Sequence, residues 1–441
     1  MVDWLGTRPG QMVAFFLLYV TEGLPLGYTA TFIATLMREE GVSPATIGSF
    51  IALFYVPWSF KWAAGPFVDL FRSRRFGARR PWICGSQLLM TLSFSTLLIL
   101  QLTGTLSITD VTLFSVIVFI GNMFGAVQDV AIDALAVDTL HESERGLANG
   151  LMFAGASIGS ATGGSVALFL YGSLGFAGST AFMLLMLLAV FFLVSLWLRE
   201  RGGRSVDPSQ RGIADRLWEY LVTAKDAFFG SRMGSLGLVL ALLPPGGYAL
   251  GLALQSNLAV ELGMSHDEIG WLTIASTAAF ALACVAGGLL SDVFGRLRSL
   301  AIYIVLTTLP TLAFAAMLYD AGWIMPVDTT APNRPEPATW LLHGFWAMTV
   351  VFNIFNGLMY GTRSAFFMDF CEPKVAATQF TAYMALANLV ISYTAFWQGY
   401  SIEAFGYPAT LVLDAAAGLI CLSVFAVVPV ARRMDQLKNE E

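Results

Sequence analysis

The stretch from Gln128 to Gly146, QDVAIDALAVDTLHESERG, sets Asp129, Asp133 and Asp138 into a segment that is otherwise as apolar as a membrane span. A carboxylate at bilayer depth costs at least about 2.5 to 3.5 kcal/mol, so it faces a bundle interior or a watered cavity and marks an ion or substrate path. Asp129 and Asp133 are one helical turn apart and share a face. That face is read as the lining of a transport route. Three further ionisable side chains, Glu22, Lys61 and Arg363, also fall inside apolar segments. Glu22 is a candidate proton-coupling group, because desolvation moves a carboxyl towards the working pH range; satisfaction by nearby hydroxyls is the alternative. Lys61 and Asp129 precede Asp69 and Asp138 by similar spacings. Both therefore sit roughly 12 to 14 Å in from the same membrane face, at 1.5 Å per residue. They are expected to pair, either as a buried structural ion pair or as one that breaks or protonates during transport. Asp133 and Arg363 sit at matching depths and are expected to face each other across a cavity, where they bind an anionic substrate or gate it.

These residues need spans to hold them at depth. The 441-residue chain is 56% hydrophobic and 12% charged, with a mean hydropathy of +0.69, outside the balance of a soluble globular protein. A span needs roughly 20 apolar residues. Twelve are predicted: 11–37, 44–66, 81–103, 110–138, 145–171, 176–198, 233–260, 268–290, 299–319, 340–369, 377–400 and 407–430. No cleavable signal peptide is expected before the first. Cys84, Cys284, Cys371 and Cys421 lack CxxC spacing and are expected to be free thiols, without a disulfide framework or metal site. Nothing points to nucleic acid, and no Walker loop, metal cluster or nucleophile constellation points to an enzyme or a cofactor.

Basic residues set the orientation. Of the 24 Lys and Arg residues, 20 fall on one side if the N-terminus is inside; Arg38 and Arg334 land outside, and Lys61 and Arg363 lie within spans. Both termini are therefore expected in the cytoplasm. The stretch 199–232 reads as a cytoplasmic linker with an amphipathic segment at 213–229 that lies on the membrane surface. The outside loop 320–339 has no periodic pattern and no assigned activity.

The chain also repeats itself. Gly41-Val-Ser-Pro-Ala-Thr-Ile47-Gly48 recurs as Gly263-Met-Ser-His-Asp-Glu-Ile269-Gly270. Gly65-Pro-Phe-Val-Asp69 with Arg72 and Arg80 recurs, at nearly the same offset, as Gly288-Leu-Leu-Ser-Asp292-Val-Phe-Gly295-Arg296. Two matches at one offset indicate a six-span repeat, and parallel six-span repeats around a midplane site describe a rocking secondary transporter. The expected fold is an all-α integral membrane protein of twelve transmembrane helices in two pseudo-symmetric halves, 1–198 and 233–441.

The Gly-x-x-x-Asp-x-x-Gly-Arg segment at Gly288 to Arg296 resembles the cytoplasmic loop motif of the major facilitator superfamily, with Asp69 heading a looser copy. The resemblance implies a conformational latch made of Asp69, Arg72, Arg80, Asp138, Asp292 and Arg296, in which an Arg pairs with a carboxylate at another helix end. Asp138 is the expected partner of Arg72 or Arg80, as a latch or in transport chemistry itself. Gly23-Leu-Pro25, Phe60-Lys61-Trp62, Gln128-Asp129-x-x-x-Asp133, Glu144-Arg145-Gly146 and Ala377-Thr378-Gln379-Phe380 together resemble the AmpG-like branch. That branch includes muropeptide permeases, siderophore importers and acetyl-CoA transporters. It implies a multi-pass protein of the bacterial inner membrane that imports an anionic solute, such as an anhydromuropeptide, by proton-coupled alternating access. Glu22, Asp129 and Asp133 would carry protons, and Lys61, Gln128, Asp133 and Arg363 would line the cavity. A siderophore importer is the alternative within the branch; a non-transporting sensor or assembly factor is the alternative outside it. The implied partners are the solute, protons and the lipid bilayer, with the chain as a monomer. Two departures stand out: Ser157 occupies a position where the branch carries an Arg, and Glu22 one that is small or polar in the permeases.

Overall fold

The computed structural model describes residues 3–70, 73, 76–200, 215, 218, 222, 225, 226, 228–371 and 376–430. Most of the expected linker 199–232, including more than half of the amphipathic segment, lies outside the described residues, as do Arg72 and the side chain of Asp69. The described residues form twelve apolar helical spans. Eight helical runs are long and apolar enough to cross a membrane. Two of these, Ala148–Trp197 and Gln379–Val430, each hold two spans divided at a glycine with positive φ, Gly175 at 63° and Gly406 at 81°. The second and seventh spans are each interrupted, which keeps their separate helices short.

The first span runs from Arg8 to Glu39. Thr7 caps its start, with its hydroxyl accepting from Gly10 N, and a proline occupies the first turn where no intrahelical N–H bond is needed. Pro25 does not break the helix; the ladder instead widens into a π-helical stretch, Tyr28–Ile33, just after it. Lipid tails are as apolar as leucine, so helices associate in the membrane through close packing rather than hydrophobic transfer. The first and fifth spans show how. A Cβ on Gly23 would stand 1.9 Å from Ala156 O, and one on Gly163 would stand 2.1 Å from Leu24 O. The backbones touch where the sequence has no side chains.

The second span begins as Pro44–Ser59, turns through a 3-10 segment, Lys61–Ala64, and resumes as Gly65–Leu70. Phe60, at φ −114° and ψ 11°, is the point of the break. The seventh span is interrupted between Arg232–Leu242 and Leu252–Glu261, at Pro244-Pro245-Gly246-Gly247, where the two prolines have no N–H for the helical ladder and the two glycines disfavour a helix.

Two compact units emerge from the packing. One comprises 1–36, 60–217 and 266–273; the other comprises 37–59, 218–265 and 274–441. Their boundaries differ from the two halves of the chain: the first part of the second span, Pro44–Ser59, belongs to the unit that holds most of the later spans. The first unit packs Phe15, Leu18, Ile132, Leu135, Met152 and Val194 into its core. The second packs Leu240, Ile304, Phe366 and Tyr383 into its own.

Candidate functional site

In the first unit, the fourth span, Val111–Thr139, and the break in the second bring charge together. Lys61 Nζ lies 2.5 Å from Asp129 Oδ2, with the two side chains 12% and 4% exposed. The 3-10 turn gives this contact its reach, because it carries Lys61 off the helical path of Pro44–Ser59. The expected pairing is therefore present. One turn further along, Asp133 Oδ1 accepts from Tyr19 Oη at 2.5 Å. Gln128 donates through Nε2 to Thr21 Oγ1 at 3.1 Å. Glu22 is buried beside Asp129, Asp133 and Lys61, and its Oε1 has no hydrogen-bond partner among the described residues. The Oε1 of Gln128 has none either. The first and fourth spans thus present a buried polar surface with two acceptors still open, in a region where an unmade hydrogen bond costs about 1 to 3 kcal/mol.

At the end of the fourth span the carboxylate of Asp138 is held by Arg79, whose Nε donates to Oδ2 at 3.0 Å while its Nη1 donates to Val68 O. The expected partner was Arg80 or Arg72. Arg80 instead opens the third span, Arg80–Leu102, and its guanidinium donates to Leu196 O. Glu200 explains why Arg80 points away: it accepts from the backbone N–H groups of Ala78, Arg79 and Arg80 at 2.7 to 2.8 Å, fixing the helix start. Arg79 is then left to turn inward.

The second unit has a counterpart set of ion pairs. Arg296 Nη1 donates to Asp369 Oδ1 at 2.6 Å, at the end of the tenth span, and Nη2 donates to Asp292 Oδ1 at 3.1 Å. Asp292 and Arg296 thus meet as the loop motif implies, with Asp369 as the remote carboxylate. Arg363, in the helix Thr339–Met368, is 4% exposed and lies with its guanidinium carbon 5.1 Å from the centre of the Phe367 ring. Tyr248 and Tyr393 are among its electrostatic neighbours. Its Nη2 has no hydrogen-bond partner among the described residues. Within its own unit Asp133 is met by Tyr19, and within the other Arg363 neighbours Phe367, Tyr248 and Tyr393. A buried guanidinium with a free donor is suited to one anion, which it can grip in bidentate fashion.

The model of the Major Facilitator Superfamily matches residues 12–245 and 236–441, nearly the whole chain. The chain belongs to the major facilitator superfamily. As a facilitator it is AmpG-like: it is 25% identical over 409 residues to the anhydromuropeptide permease of Escherichia coli strain K12, a match covering 91% of this chain and 77% of that protein. Its fold is that of solved transporters. A D-xylose-proton symporter superposes with a TM-score of 0.67 at 14% identity, covering 94% of this chain and 96% of that one. A POT family transporter in complex with a thioalcohol conjugated peptide superposes with a TM-score of 0.68 at 10% identity, covering 98% and 99%.

Three parts of this facilitator were missed in sequence. Arg38 and Glu261, both buried, form an ion pair in the second unit, with Arg38 Nη2 donating to Glu261 Oε1 at 2.7 Å. Tyr407 Oη donates to the same oxygen at 2.5 Å, and Val327 N donates to Oε2 at 3.0 Å. The loop 320–339, to which no activity was assigned, is tied in here, with Thr329 Oγ1 donating to Arg38 O as well. Asp414, in the twelfth span, is buried with three donors. Tyr19 is the third. Asp414 and Glu261 carry the same signal as Asp129, a carboxylate in or at the end of an apolar run; Tyr19 carries none, since a tyrosine in a span is ordinary.

Proposed function

We propose that this facilitator is a proton-coupled importer of the bacterial inner membrane, carrying an anionic solute of the anhydromuropeptide class by alternating access. Both termini lie in the cytoplasm on this reading, and the six-span halves 1–198 and 233–441 rock about the site. The observation that carries it is a division of charge. Among the described residues Glu22, Asp129 and Asp133 share Lys61 as their cationic neighbour. One ammonium balances one carboxylate, and the remaining negative charge at bilayer depth is met most directly by protons. The second unit holds the opposite imbalance, a buried guanidinium with a free donor. One unit is suited to taking up protons and the other to an anion. The similarity to an anhydromuropeptide permease supports that solute class.

The mechanism follows from differential binding, since a ligand shifts a two-state equilibrium only as far as its affinity differs between the states. An anion on Arg363 and a proton on the Glu22 cluster each neutralise a buried charge, which lowers the barrier to a state in which that charge is fully enclosed. The latches at Arg79–Asp138 and Arg296–Asp369 then set how easily the helix ends part. The test is uptake of labelled anhydromuropeptide by purified protein in proteoliposomes. An inward-directed proton gradient is expected to drive accumulation above the outside concentration, and collapse of the gradient to end it. Uptake that ignores the gradient overturns the coupling; absence of uptake and of binding overturns the solute class.

A further inference from the structure

The break in the seventh span leaves N–H groups that lipid cannot satisfy. Pro244 and Pro245 have none to place. The next four residues all donate to other spans: Gly246 N to Gly418 O at 3.0 Å, Gly247 N to Thr307 Oγ1 at 3.3 Å, and Tyr248 N and Ala249 N to the same oxygen, Asp414 Oδ2, at 2.8 and 2.9 Å. The other oxygen, Oδ1, accepts from Gln398 Nε2 at 2.8 Å. Asp414 is 2% exposed. With three donors spread over both oxygens its carboxylate is met by hydrogen bonds, the arrangement of a pin rather than of a cation site. The fit around it is close. Gly246 has φ +90° and a Cβ there would stand 2.0 Å from Thr307 Oγ1; a Cβ on Gly418 would stand 2.2 Å from Gly246 C.

The pinned segment carries Tyr248, and the side chain of Tyr248 stands beside Arg363. Asp414 therefore holds the main chain of a residue whose phenol neighbours the Arg363 guanidinium, of which Nη2 has no hydrogen-bond partner among the described residues, although Asp414 itself is bonded to the backbone and to Gln398. We infer that Asp414 is a positioning residue for solute binding: it pins the unwound part of the seventh span so that Tyr248 and Arg363 present one pre-formed anion site. The inference rests on the reading of Arg363 as the anion-binding group.

Two substitutions separate pinning from charge. Asp414→Asn keeps an oxygen for the two N–H groups and turns its amide towards Gln398, whose own amide can rotate to accept; Asp414→Ala removes the pin. In proteoliposomes with labelled anhydromuropeptide, Asp414→Ala is expected to raise KM about tenfold, the equivalent of losing one or two buried hydrogen bonds, with the maximal rate little changed. Asp414→Asn is expected to stay close to the parent. Hydrogen exchange of residues 246–249, read by mass spectrometry without solute, should speed up in Asp414→Ala alone. If Asp414→Ala does not fold, Thr307→Val, which removes the bond to Gly247 N, is expected to give a smaller KM rise with faster exchange of the same segment. An unchanged KM in the pin variants, while Arg363→Ala loses solute, overturns the inference and leaves the Arg363 reading standing. A loss of uphill uptake in Asp414→Asn equal to that in Asp414→Ala overturns it in favour of a charge role. An unchanged KM in Arg363→Ala overturns the reading and the inference with it, even where exchange at 246–249 shows the pin intact.

Discussion

Lys61 and Asp129 meet at 2.5 Å across a break in the second span, with the ammonium delivered by a 3-10 turn rather than by a continuous helix. Lys61 is the cation that Asp129 shares with Glu22 and Asp133, so removing it leaves those carboxylates without their cationic neighbour.

Lys61→Met is therefore expected to destabilise the protein by about 3 to 5 kcal/mol, and Asp129→Leu by less, because Glu22 and Asp133 still neighbour the ammonium. The double variant, which removes one charge of each sign but leaves Glu22 and Asp133, should recover part of the thermal stability while failing to transport. Thermal unfolding in detergent and proteoliposome uptake measure the two parts. Recovery of uptake in the double variant would make the pair purely structural.

Glu22→Gln keeps the size of the side chain and mimics only the protonated carboxyl. Solute exchange across the membrane should persist, because it needs no net proton movement, while accumulation against a gradient is lost. The comparison is between counterflow and gradient-driven uptake on the same vesicles. Retained uphill accumulation removes Glu22 from the coupling step.

Arg363→Ala should weaken binding of anhydromuropeptide by at least about tenfold, with Arg363→Lys recovering only part, since an ammonium lacks the planar fork of the guanidinium. Isothermal titration of the purified protein checks it. Binding as tight as that of the parent would assign Arg363 to packing against Phe367 and Tyr248.

Packing between the first and fifth spans leaves no room at Gly23, where an added Cβ would stand 1.9 Å from Ala156 O. Gly23→Ala should cost about 1 to 3 kcal/mol or more through forced backbone shifts, and Gly23→Leu should fail to fold. Gly172, with nothing near its Cβ position, is the matched control and should tolerate Ala with little change. Detergent thermal melts of the two Ala variants decide this.

Orientation is tested in intact cells. A cysteine replacing Ser205 in a background without the native cysteines should stay unlabelled by an impermeant thiol reagent applied outside, because the basic residues concentrate on that side of the chain. Efficient labelling there would reverse the proposed topology.

Hydropathy alone was enough for the membrane class and the number of spans, and it marked Glu22, Lys61, Asp129, Asp133 and Arg363 as charges inside apolar runs, because burial in lipid is a local property that a run of about 20 residues must express. The internal repeat and the loop motif carried the family in the same way, since both are patterns along the chain. Partnership was different. Arg79 rather than Arg80 holds Asp138 because Glu200, far away in sequence, ties down the start of the third span. Tyr19 holds Asp133, and Arg38 finds Glu261, across distances in sequence that no periodicity reports. Asp414 was as legible as Asp129 as an acid in a span, yet its role emerged only with the unwound N–H groups of Tyr248 and Ala249 facing it. Which segments span follows from composition, whereas which of their side chains meet depends on the rotation of each helix and on where it breaks, and those are decided when backbones pack against one another.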